Sequence, residues 1–347
     1  MEKALVISLN FNPGHVSHLE ASYRQMEELG YESIYCVSES FVNYLPAGSR
    51  LVCYGRDGLP EASVAIFLFP SHRNLLLIRR LKRRGTKIIY IFHEPLSALK
   101  DYRRAGFSYK YLAKLRVVDR VSSLTVKWSD AIILPSRKAV ALYNANPLYK
   151  NAKSYYIPLL YADERTENPA PSGRQFFSYI GTIAADHSFN EYLEFVRYAI
   201  KEDRLPGLSF MIATKSGFVA PPDLEESPRV VFKTGRPMDN AQINECYASS
   251  YVVWNAYART TQSGVLAKSF MFGTPAIVLR NNLSEFTEDG KEVVAIEDNT
   301  SFSQIESAIS RITSSFQQFS DAARRRFEDT FLYRNYNDGI KEILSSL

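Results

Sequence analysis

The sequence predicts an α/β protein of two Rossmann-like domains facing a central cleft. Three observations carry this reading. Brief apolar bursts alternate with amphipathic stretches, which is the rhythm of parallel sheets covered by helices. A polar, Pro-rich segment interrupts that rhythm once, near the middle. The chain of 347 residues is about twice the usual single-domain length.

The expected strands are Ala4–Leu9, Val64–Phe69, Ile88–Phe92, Ala131–Leu134, Phe177–Ile180, Phe210–Ala213, Val230–Phe232, Tyr251–Trp254, Ala276–Leu279 and Val293–Ile296. Each is short and rich in Ile, Val, Phe or Tyr, as strands buried on both faces are. The expected helices are Ser17–Leu29, Asn74–Arg84, Glu191–Glu202, Asn240–Ala248, Val265–Phe272 and Ser303–Ser315, and the tail from Asp321 onward is also helical in pattern. Tyr161–Arg174, with Pro169, Pro171 and five charged side chains, is the best linker. The division expected is a first domain over 1–162, a linker over 163–174, a second domain over 175–327, and a C-terminal helix over 328–347 packing back on the first domain.

Composition narrows the class. Hydrophobic residues make up 46% and charged residues 23%, so a sizeable core is affordable and disorder is excluded. Lys and Arg exceed Asp and Glu by 42 to 37, a net charge of +5, which suits anionic small ligands or an anionic membrane surface more than a dedicated nucleic-acid partner. Cys36, Cys53 and Cys246 are scattered and odd in number, which fits a reducing compartment. The first residues lack a signal-like pattern, and no apolar run reaches the roughly 18–20 residues of a membrane span. The expectation is a cytoplasmic protein, peripheral on the inner face of the plasma membrane if it meets a membrane at all.

Several loops at strand ends have the composition of anion sites. Gly14, after the first strand, lets backbone amides approach an anion ahead of a helix N-terminus. His93 and Glu94 close another strand before Pro95, where the imidazole could hold a sugar hydroxyl or move a proton. Ser136, after Pro135, reads as an N-cap. Gly181 and Thr182 end the first strand of the second half and run towards Ser188 and Glu191, which are spaced as a capping box. Lys215 lies just past a strand and could reach a diphosphate; Arg236 follows Gly235 in a similar loop. Gln262, Ser263, Gly264 and Val265 open a helix that Gly273 ends and Pro275 follows, and such a helix N-terminus can hold a diphosphate without a metal. Each of these loops also reads as an ordinary turn or cap.

Taken together, these segments resemble the GT-B glycosyltransferases of the family 4, group 1 type. The family's Gly-x-Pro and following strand match Gly273-Thr274-Pro275 and Ala276-Ile277-Val278, and its later glutamate matches Glu285. Pro13-Gly14, His93, the Asp130–Ser136 segment and Ile157-Pro158 match in order along nearly the whole chain. The two glutamates of the family's Glu-x7-Glu signature fall instead on Thr260 and Lys268, and its Arg and Lys after the Gly181-like turn are replaced by Thr182 and His187. The resemblance implies transfer of a sugar from a nucleotide-sugar donor to a hydroxyl of a saccharide, with retention, no metal and no other cofactor. His93 and Glu94 would then be catalytic. Gly14, Gly181, Thr182, His187, Lys215, Arg236, Gln262, Ser263, Gly264, Val265 and Lys268 would bind the donor, with Lys215, Arg236 or Lys268 supplying charge. A nucleotide-sugar epimerase and a non-catalytic paralogue that only binds are the alternatives.

One basic-aromatic stretch stands apart, over 101–120. Phe107, Tyr111 and Leu115 recur at helical spacing beside Lys110 and Lys114. This pattern suits an interfacial helix on anionic lipid, which would bring a lipid-linked saccharide acceptor within reach; it equally suits a solvated helix with an ordinary core stripe. No RNA-binding motif accompanies the charge, so no nucleic-acid partner is expected.

Overall fold

A computed structural model of the chain describes residues 1–104, 106–149, 153–165 and 173–347. The chain divides into two compact units, 1–162 with 331–347, and 163–330. Of the expected linker, residues 166–172 lie outside the described residues.

In the first unit the strands are β1 (Lys3–Ser8), β2 (Glu32–Val37), β3 (Leu51–Cys53), β4 (Val64–Phe67), β5 (Lys87–Ile91), β6 (Ala131–Leu134) and β7 (Lys153–Tyr156). The helices are α1 (Val16–Glu28), α2 (Asn74–Lys82), α3 (Leu99–Arg104), α4 (Tyr109–Trp128) and α5 (Arg137–Ala145). All seven strands are parallel, in the order β3-β2-β1-β4-β5-β6-β7. The order reverses between β1 and β4, so the loops after them splay apart and leave a crevice at the carboxyl edge. Ser136 caps α5 by accepting from the Ala139 amide at 3.0 Å.

The second unit holds β8 (Phe176–Ile180), β9 (Ser209–Ala213), β10 (Val230–Lys233), β11 (Ser250–Asn255), β12 (Ala276–Leu279) and β13 (Val293–Ile296). Its helices are α6 (Phe189–Lys201), α7 (Pro222–Glu225), α8 (Asn240–Ala248), α9 (Gly264–Met271), α10 (Phe302–Ser314) and α11 (Phe316–Thr330). These six strands are also parallel, in the order β10-β9-β8-β11-β12-β13, with the switch between β8 and β11. An aromatic cluster of Phe177, Tyr179, Tyr192, Phe195, Phe210 and Trp254 fills the core. Burial of rings of this size is the largest single stabilising term available to the unit.

The last helix, α12 (Asn337–Ser345), belongs to the first unit. Ile340 and Ile343 enter the core that Ala4, Val64, Ile89 and Ile133 form on one face of the sheet. Glu28 of α1 accepts from the Tyr333 hydroxyl at 2.6 Å, from Arg334 Nε at 2.8 Å and from Asn337 Nδ2 at 3.1 Å. That triple acceptance holds the Glu28 carboxyl below the usual range, with the Arg334 bond the largest cause.

Candidate functional site

The second unit concentrates the predicted residues at the carboxyl edge of its sheet. Gly181 follows β8 with φ +143°, and a Cβ there would lie 3.6 Å from Val265 Cγ2 and 3.8 Å from the Tyr257 hydroxyl. The turn after β8 therefore sits against the first turn of α9. Ser263 is the N-cap of that helix: its Oγ accepts from the Leu266 amide at 3.4 Å and from Asn255 Nδ2 at 2.8 Å. These contacts aim the Gln262–Val265 turn, with the positive end of the helix dipole, at the crevice beside Gly181.

Three further groups brace this edge. His187 Nδ1 donates to the Thr182 carbonyl at 2.7 Å, and its ring stacks on Tyr257 at 4.3 Å. The Ala258 amide donates to the Asp186 carbonyl at 2.9 Å. Arg259 is buried, with Nη1 3.6 Å from Asp186 Oδ2. Sequence reasoning passed over Arg259 and Asp186 because neither stands at a strand end. An arginine just ahead of a Gln-Ser-Gly turn was the available signal.

The other cations divide. Lys215 lies past β9, half-buried, and makes no ion pair or hydrogen bond among the described residues. Desolvation holds its ammonium below the usual lysine range. Arg236 is exposed beyond β10. The strand order sets β10 three strands from β11, roughly 14 Å away at the usual inter-strand spacing, so Arg236 stands outside the cluster. Lys268 is enclosed: its Nζ donates to Glu164 Oε2 at 3.0 Å and to Asn240 Oδ1 at 2.5 Å. Asn240 Nδ2 and Asn244 Nδ2 donate to the same carboxylate oxygen at 2.6 and 3.0 Å. The ammonium offered for a diphosphate is thus committed to a buried carboxylate.

The capping box expected from Ser188 and Glu191 does not form. Ser188 is left-handed, at φ +52°, and makes no cap bond to α6. The one-turn helix Ala185–His187 delivers it in that conformation, and its Oγ accepts from Asn299 Nδ2 at 2.8 Å instead.

In the first unit, the loops after β1, β4 and β5 meet through rings. His15 stacks on Phe69 at 3.3 Å, and Phe69 stacks on His93 at 4.5 Å. His18 lies 6.1 Å from His93 and 4.4 Å from Tyr161, centroid to centroid. The His93 imidazole is pulled down to about 3, first by burial, then by the nearby His18, against a hydrogen bond to the Leu68 backbone. It is a neutral ring at physiological pH. His18, Gln25, Leu68, His93 and Ile340 line a cavity of about 20 Å³, room for one water. Glu94 is exposed beside the ring stack. The Gly14 amide is taken by Asn12 Oδ1 at 3.3 Å, in a short helical turn over Pro13–His15. That loop is a side-chain-capped turn rather than an open cradle of amides.

No family model matches the chain, and no curated protein matches it in sequence. Solved structures do resemble it. HepE of Anabaena, in complex with UDP and glucose, is 12% identical and superposes over all of both chains with a TM-score of 0.71. Sucrose-phosphate synthase of Thermosynechococcus elongatus is 12% identical over 99% of this chain and 98% of that one, with a TM-score of 0.68. A glycosyltransferase of Rickettsia africae is 11% identical over 99% and 98%, with a TM-score of 0.66. At these identities the likeness is one of fold. The chain has the two-domain, Rossmann-like GT-B fold.

Proposed function

We propose that the chain is a glycosyltransferase that moves a sugar from a nucleotide-sugar donor to a hydroxyl of a saccharide, with retention at the anomeric carbon. One observation carries the reading. At the switch point of the second unit, the Gly181 turn, the N-terminus of α9, the half-buried Lys215 and the buried Arg259 share one sheet edge. That is the position where an open α/β sheet takes its ligand. The chemistry fits the electrostatics. As the bond from the anomeric carbon to the donor diphosphate breaks, negative charge grows on the leaving oxygens. A helix N-terminus and desolvated cations fixed beforehand stabilise that charge more than that of the ground state. No metal is assigned a part in this reading. The HepE structures contain UDP or UDP-glucose, which makes a uridine donor the first to try.

The first unit is assigned to the saccharide acceptor. A neutral His93 can accept from or donate to a hydroxyl without bringing a charge into its apolar surroundings. The acceptor we assign is lipid-linked, as in surface polysaccharide or glycolipid assembly, which docking on a membrane would bring within reach.

The test is incubation with a panel of radiolabelled nucleotide-sugars and oligosaccharide acceptors. Transfer or slow hydrolysis of one donor is the expected result. Release of an epimerised nucleotide-sugar would assign a different enzyme, binding without turnover would assign a binding subunit, and failure to bind any nucleotide would overturn the donor-site assignment.

A further inference from the structure

Helix α4 wears its amphipathicity inside out. Its buried positions are Leu112, Asp119, Ser122, Thr125 and Val126, mostly polar. Its only acid, Asp119, points inward and accepts from the Tyr149 hydroxyl. The opposite face carries Ala113, Val117, Val121 and Leu124, spaced 4, 4 and 3 residues apart, an arc of about 80° at 100° per residue. Val117 is 64% exposed and Leu124 43%. Two β-branched residues, Val117 and Val118, exposed on one helix weaken helix propensity without the compensation of burial. The stripe expected from sequence, Phe107-Tyr111-Leu115, is a different one. Ser108 caps the helix at Tyr109, so Phe107 precedes it, stacked on Tyr111 at 4.6 Å.

Cations frame the outward stripe. Lys114 lies on one flank, Arg116, Arg120 and Lys127 on the other, and Lys110 at the N-terminal end. All are exposed, and no exposed carboxylate stands on α4. The neighbouring α2, which packs on α4, carries exposed Leu76, Arg79 and Arg80, and exposed Arg83 follows its last residue. An apolar strip with a row of three cations on one flank, Lys114 on the other and no exposed carboxylate fits an anionic bilayer surface, where the strip enters the acyl boundary and the cations meet lipid phosphates. A second copy of the chain fits poorly, since a two-fold contact through this helix sets basic flanks against basic flanks.

We propose that the outward face of α4 docks the protein on anionic membrane, with the helix lying flat in the interface. From Ala113 to Lys127 the contact runs about 21 Å along the surface at 1.5 Å per residue. This docking does not depend on the proposed chemistry, because it needs neither donor nor acceptor.

The experiment is flotation of the full chain with vesicles of equal parts phosphatidylcholine and phosphatidylglycerol, against phosphatidylcholine alone. Wild type is expected to float with the anionic vesicles only, and to be released by salt. R116Q/R120Q removes two cations and is expected to lower the partition coefficient about 25-fold, at about fivefold each. V117S/L124S keeps the charge and is expected to lower it on the order of tenfold by removing apolar contact. Both variants alter exposed side chains, so their thermal midpoints are expected to match wild type, which separates docking from folding. Equal flotation of wild type and both variants would overturn the proposal. So would binding to neither vesicle, or a wild-type dimer that V117S/L124S converts to monomer.

Discussion

Replacing Lys268 by methionine strips the cation from a carboxylate that has almost no access to water. The Lys268 and Glu164 side chains are 5% and 6% exposed, their contact is 3.0 Å, and Asn240 and Asn244 complete the cage. A solvent-exposed pair is worth about 0–1 kcal/mol. Removing one partner of a buried pair costs about 3–5 kcal/mol, because the remaining charge stays desolvated. K268M is therefore expected to destabilise the second unit by about 3–5 kcal/mol. E164L/K268M, which removes both charges, is expected to recover most of that loss. Urea unfolding can be read unit by unit: the two tryptophans are Trp128 in the first unit and Trp254 in the second, so a W128F background reports Trp254 alone. A K268M loss below about 1 kcal/mol, joined to a large drop in nucleotide affinity, would refute the reasoning and return Lys268 to the diphosphate.

Two further outcomes follow from the same geometry. Gly181→Ala meets only ordinary contacts at Val265 and Tyr257, but φ +143° is a conformation L-residues seldom adopt. The turn should shift and calorimetric UDP affinity should fall about tenfold or more, the equivalent of ~1.4 kcal/mol of strain or misplacement; unchanged affinity would remove this turn from the donor site. The His93 imidazole titrates near 3 folded and near 6.5 unfolded, so between those values the unfolded chain holds the extra proton. Its contribution to stability is complete above pH 6.5 and is lost as pH falls towards 3, at no more than about 1.4 kcal/mol per pH unit and less for a ring in a partly exposed residue. H93F should flatten the stability profile over that window, and an NMR titration of His93 near 6.5 in the folded protein would contradict the assignment.

Burial accounts for most, though not all, of what could be read from sequence: β10 was foreseen although only partly buried, and β2 was not although buried almost throughout. The ten apolar bursts all became strands, since a strand covered on both faces has little choice but Val, Ile, Phe and Tyr. Of the three strands not foreseen, β3 and β7 lack that signature, whereas β2 carries it in the buried run Ile34-Tyr35-Cys36-Val37 and was passed over. β3 is three residues long, and β7, Lys-Ser-Tyr-Tyr, is an edge strand with exposed ends. Capping showed the same limit. Ser136 and Ser263 cap because their backbones are extended, whereas Ser188 has equally good spacing but a preceding turn that leaves it left-handed. The box that does form, Asp239 with Gln242 at α8, has the right residues at the right distance.

The candidate site was half legible for a related reason. Residue type at a strand end places a group at the carboxyl edge, and Gly181, Lys215 and the Gln262–Val265 turn lie there. Nothing in a linear pattern says which cation is already spoken for. Lys268 has a partner 104 residues away, and Arg259 faces an aspartate 73 residues before it. Lys268 on α9 and Glu164 enter the same pocket from distant parts of the chain, and each neutralises the other. The substitution Lys268→Glu would set two carboxylates against each other without water to screen them, and is disfavoured by the same desolvation that makes the loss of either partner costly.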